Sequence, residues 1–189
     1  ADLEALCTAL RRIDGFADVE LAGLQPMRVK GLVHEHIRIA GRDLVLRVPR
    51  LSQFGFEPKA NLDYQRACFE RAAASGATPN LHGIISVNDR IPYGALIVEE
   101  IVGRAPSLPG DMAALADSLA ALHILPLPAE GSRAPLTMHA DAVFGTLRFI
   151  ETQAVCLPEA GLAVEAARQI DDELDWARRF AAESHSRNQ

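Results

Sequence analysis

Apolar residues recur along the chain in two rhythms, and the order of those rhythms sets the expected architecture. Leu3, Leu6, Cys7 and Leu10 lie at helical spacing with Glu4, Arg11 and Arg12 turned outward, so residues 2–12 are expected to form a helix that Asp14-Gly15 ends. From residue 17 the period shortens. Val19, Leu21, Val33, Ile37, Ile39, Leu44, Leu46 and Val48 fall into alternating or β-rich runs. They predict strands near 17–23, 32–39 and 43–49, with Ala40-Gly41-Arg42-Asp43 as a hairpin turn. Residues 51–59 form a loop, and the Ala-rich stretch 60–75 is a helix with Leu62, Ala67 and Ala74 available for packing. Gly76 suits the position just past its end, and Pro79 follows three residues later. Strand character returns over 81–101. Leu81, Ile84, Ile85 and Val87 precede a polar turn at Asn88-Asp89-Arg90, and Ala95 to Val98 is the continuous apolar run of a buried central strand.

Beyond residue 111 only helix and loop are expected. Asp111 is placed to cap a helix over 112–124, whose Leu115, Leu119 and Leu122 share a core-facing side. Pro126, Pro128, Gly131 and Pro135 make the next stretch irregular, and two more helices follow near 140–156 and 160–183. Strands and helices in separate blocks imply an α+β fold. A break near 102–110 divides a β-rich part, 1–102, from a helical part, 103–189.

Composition narrows the function classes. The 189 residues are 49% hydrophobic and 23% charged, an ordinary globular balance able to bury a core. A net charge of −6, no Lys/Arg cluster and only 5% aromatic residues argue against a nucleic-acid partner. The acidic balance suits a cationic substrate and, more simply, solubility. Cys7, Cys68 and Cys156 are far apart with no CxxC, so free thiols are expected in place of a disulfide framework or a zinc site. No signal segment and no apolar run of membrane-spanning length is visible, which leads to the expectation of a cytoplasmic protein with no membrane partner. His34 and His36 share a face of a strand, but no third ligand accompanies them, and metal binding is not expected there. His123 suits a core or capping role, and Asp171-Asp172-Glu173 a solvated helix face.

Four segments carry a more specific message: LVLRVPR (44–50), ASGATPNL (74–81), LIVEEIVGRAP (96–106) and LADSLAALHILPLP (115–128). In this order and spacing they resemble the aminoglycoside phosphotransferase/choline kinase-like family, over about residues 17–128. The resemblance implies a protein-kinase-like fold: an N-lobe made of a five-stranded antiparallel sheet plus one helix, then a hinge and a partial helical C-lobe. It implies ATP and magnesium as cofactors and transfer of the γ-phosphate to a hydroxyl of a small molecule.

By that resemblance Arg47 contacts the phosphates, where most kinases use Lys; a guanidinium never deprotonates and forks two oxygens. The helix position that usually supplies a Glu partner falls on Gln65, which brings hydrogen bonds without charge, while Glu70 lies on a different helix face. Glu99 C=O and Ile101 N–H would bond adenine at the hinge, Ile97 would pack its ring, and Gly103 would let the chain turn. The phosphate-covering loop falls between strands one and two, over Gly23 to Gly31, with Arg28 and Lys30 adding positive charge. The family's catalytic loop and its magnesium-binding Asn and Asp are expected beyond residue 189, after the helix holding Trp176. No catalytic residue is expected in this chain, which resembles part of a longer enzyme and is expected to turn nothing over alone. The alternative is a non-catalytic kinase-like protein that binds a nucleotide or a partner.

Overall fold

Alternating apolar residues on two hairpin strands demand cover on both faces, and the chain supplies one helix for each. The structure is a computed structural model that describes residues 1–28, 31–136, 139, 141–155 and 161–187. Lys30, Cys156 and the residues 188–189 of the terminal SHSRNQ segment lie outside the described residues. The chain divides into two compact units, Ala1–Leu136 and Thr137–Gln189.

In the first unit, α1 (Leu3–Leu10) precedes β1 (Leu24–Pro26), β2 (His34–Ile39) and β3 (Leu44–Pro49), followed by α2 (Pro58–Ala72), β4 (Leu81–Ile85), β5 (Ala95–Glu99) and α3 (Met112–His123). The five strands form one antiparallel sheet in the order β1-β2-β3-β5-β4. The α+β fold and five-stranded sheet are therefore as expected. Residues 17–23 are not a strand. Val19 N–H donates to Phe16 O, Gly23 N–H to Glu20 O, and Leu21–Gly23 is a 3-10 turn. Phe16 and Val19 reach the core from tight turns, so apolar spacing there reflects burial without a ladder. Pro26 is tolerated because β1 is an edge strand.

Side-chain alternation divides the sheet into two faces. Ile37, Ile39, Leu46, Val48, Ala95 and Ile97 pack against Ala5, Leu6, Cys7 and Leu10 of α1. Val45, Leu96 and Val98 point the other way, to Leu62 and Phe69 of α2 and to Met27. Pro58 opens α2, where a missing N–H costs nothing. Gly94 is required just before β5: its φ is 65°, and a Cβ would lie 2.5 Å from Ile85 O.

Helix α3 departs from expectation. Leu115, Leu119 and their neighbours form no core, because α3 buries no residue. Asp111 does not cap it by side chain; its carboxylate accepts from Arg104 and from Ser107 N–H.

The second unit holds α4 (Ala142–Ala154) and α5 (Val164–Arg187), packed through Leu147, Leu174 and Ala181. Asp141 caps α4 by accepting from Val143 and Phe144 N–H.

Candidate functional site

The hairpin register builds the site. His36 pairs with Arg47 and Arg38 with Val45 across β2 and β3, while Arg47 pairs with Leu96 and Val45 with Val98 across β3 and β5. Cross-strand partners share a face, so His34, His36, Arg38, Val45, Arg47, Leu96 and Val98 all lie on the α2 side. Helix α2 covers only part of that side. The rest is a cleft of about 280 Å³, with Met27, Val45, Phe69 and Val98 in its apolar lining and the half-buried Arg47 among them. Glu99, Glu100 and Ile101 form one rim, and Arg28 and His36 also line it.

Arg47 is half-buried, and burial lowers its pKa from the usual guanidinium value. Its Nη2 donates to His34 Nδ1 at 3.3 Å, and its guanidinium carbon lies 5.9 Å from the Phe69 ring centroid. Its Nε is buried with no hydrogen-bond partner. No carboxylate pairs with Arg47 among the described residues. His34 continues the relay, donating from Nε2 to Gln65 Oε1 at 3.0 Å. That assignment follows from chemistry, because Nδ1 must be the lone-pair nitrogen to accept from Arg47. Burial, and next the neighbouring Arg47 charge, hold the His34 imidazole well below its ordinary 6.5, at about 4. The imidazole is thus neutral at physiological pH, and the cluster keeps the full charge of Arg47.

The predicted residues fall in different places. Arg47 is in the cleft. Gln65 is beside it but reaches Arg47 through His34, because the imidazole occupies the space between them. Ile97 does not line the cleft. It is fully buried on the α1 face, one position out of phase, and Val98 takes the expected apolar place. Glu99 and Ile101 are on the rim; Glu99 N–H donates to Asn80 O at 2.9 Å and Glu100 N–H to Asp43 O at 2.8 Å. Gly31 sits in an exposed bend and is not among the lining residues. Glu70 pairs with Arg66 at 2.7 Å, on the exposed side of α2.

His34 is the functional candidate that sequence reasoning missed. Its signal was present: counting back from the 40–43 turn pairs His36 with Arg47 and leaves His34 two residues on, facing the same way.

Two rim acids are already satisfied. The Glu100 carboxylate accepts from Arg38 Nε, whose hydrogen is shared between its two oxygens at 2.8 and 2.9 Å, and from Arg38 Nη2, and this contact lowers its pKa. Glu99 Oε2 accepts from Asn80 Nδ2 at 3.0 Å. A larger groove, about 580 Å³, runs between α2 and residues 128–136. Its charges are matched, with Asp63 on Lys59 and Arg66 on Glu70, and Arg71 donates to Pro126 O. The smaller cleft is the better candidate because Arg47 has no carboxylate partner there among the described residues. Among the described residues no group of three or more His, Cys, Asp or Glu is placed to hold a metal ion, and the His34 and His36 ring centroids are 6.3 Å apart. No helix among them is long and apolar enough to cross a membrane.

No protein-family model matches the chain. No curated protein matches it. Among solved structures it is similar to a choline/ethanolamine kinase family protein from Mesorhizobium loti, a crystal structure at 2.55 Å resolution, with 19% identity and a TM-score of 0.39. The match covers 85% of this chain and 54% of that one, so this chain spans about half the length of that protein.

Proposed function

We propose that this chain forms the nucleotide-holding part of an ATP-dependent phosphotransferase acting on a hydroxyl of a small molecule. The observation that carries the reading is Arg47, a half-buried cation with no carboxylate partner among the described residues, bordering a cleft whose apolar side is formed by Met27, Val45, Phe69 and Val98. Phosphoryl transfer depends on positioning and on neutralising phosphate charge, and a guanidinium in that setting supplies both. In this reading Met27, Val45 and Val98 flank the adenine, and Glu99 C=O and Ile101 N–H bond its edge. Gly31 belongs to the loop over the phosphates, and Gln65 supports Arg47 through His34. Magnesium accompanies the nucleotide, held by ligands from outside residues 1–189, as the sequence resemblance implies. A cytoplasmic setting, where ATP is the phosphoryl donor, belongs to the same reading.

A non-catalytic nucleotide-binding protein is the second reading. The neutral relay of His34 and Gln65, in place of a carboxylate, is the observation that favours it.

Calorimetry with MgATP tests the shared part of both. This chain binds, and Arg47→Ala weakens binding by about tenfold or more, the loss expected for a charge-assisted contact. Equal affinity in the two proteins contradicts the reading. ADP release by the full-length protein, given a hydroxyl-bearing acceptor, separates transfer from binding alone.

A further inference from the structure

We infer that His34 is the positioning residue for Arg47: a neutral acceptor that aims the guanidinium into the cleft while leaving its charge available to a bound polyphosphate. This deepens the nucleotide reading and rests on it.

The geometry isolates the role. A cation on a sheet face needs an acceptor to fix its rotamer, and a carboxylate there would fix it and cancel it together. Here Arg47 Nη2 is fixed by His34 Nδ1, and the imidazole is itself oriented by Gln65 from α2. The groups facing His34 are Arg47 on β3, His36 on β2 and Gln65 on α2, with no acid among them, and the rim acids Glu99 and Glu100 are held by Asn80 and Arg38. The Phe69 ring restrains the guanidinium from the α2 side. Arg47 Nε is buried without a partner, so an incoming oxygen meets the guanidinium where the side chain borders the cleft. An imidazole held by two such contacts acts through Arg47, without touching the ligand itself.

Substitutions at position 34 separate aiming from charge. Asn places an amide oxygen near the Nδ1 position, so His34→Asn keeps a neutral acceptor. His34→Asp keeps an acceptor there but adds a negative charge, and His34→Ala removes the acceptor. The readout is the ratio of affinities for MgATP and adenosine, measured by calorimetry, with tripolyphosphate as a third probe and ligand-free melting as the control for folding. The parent and His34→Asn show similar ratios, whereas His34→Ala and His34→Asp lower the ratio about tenfold, the value of one charge-assisted contact. A merely structural role moves adenosine and MgATP together and leaves the ratio flat across the series, which overturns the proposal. If tripolyphosphate follows the series but adenosine does not bind, the nucleotide reading fails and the positioning role stands. Binding of none of the three probes by the parent overturns both.

Discussion

Arg47 uses Nη2 on His34 and leaves Nε buried without an acceptor, a state that costs about 1–3 kcal/mol. The Nη2 contact holds the guanidinium against a half-buried imidazole. It also makes His34 a titration reporter. The folded-state pKa, about 4, lies below the ordinary 6.5, so between these values the unfolded chain binds more protons than the folded one. The contribution of His34 to stability is therefore complete above about 6.5 and is lost as pH falls towards about 4. The His34 ring resonance should titrate near that lower value by NMR, and His34→Asn should flatten the slope of unfolding free energy against pH across the window. An imidazole midpoint near the ordinary value would contradict the buried relay. Cys68, by contrast, has its thiol pKa raised by burial and is not an activated nucleophile.

The β2–β3 hairpin and β5 differ in how far local sequence decides their facing. The β2–β3 hairpin was legible because its alternation and its 40–43 turn agree, and the turn fixes the register that sets His36 opposite Arg47. The phase of β5 was harder. A continuous apolar run is buried on both faces, so nothing local says whether Ile97 or Val98 turns to the cleft, and only pairing with Leu46 and Val45 decides it. Phe16 and Val19 were apolar for the core but held by turns, which periodicity does not separate from a short strand. Packing at this scale gives a direct test. Leu46 is fully buried at the centre of the sheet, so Leu46→Ala should cost about 2–5 kcal/mol in denaturant unfolding. Gly94→Ala should cost at least about 2 kcal/mol, because its Cβ meets both Ile85 O and Leu62 Cδ2, at 2.5 and 2.7 Å, where φ is already positive. Unchanged melting of Gly94→Ala would show that the β4–β5 connection is looser than described.

At the scale of the whole molecule, the two units carry different surfaces. The sheet unit buries a double-sided core, yet its α3 leaves Leu119 57% exposed and buries nothing. The α4–α5 unit shows a stacked Trp176–Phe180 pair, both rings exposed. Leu119→Glu should change unfolding free energy by no more than about 0.5 kcal/mol, as for other surface positions, and a larger loss would reveal packing on α3 that is absent from the described residues. The net charge of −6 repels anions at long range, so a nucleotide must be held by the local field of Arg47, and its binding should weaken as salt rises. In the proposed reading the ligand face of the sheet is the Arg47 face. Methyl NMR with added MgATP tests it most directly. Shifts are expected at Met27, Val45 and Val98, with Leu46, Val48 and Ile97 on the α1 face unmoved. Shifts on the α1 face, or none on either, would contradict it.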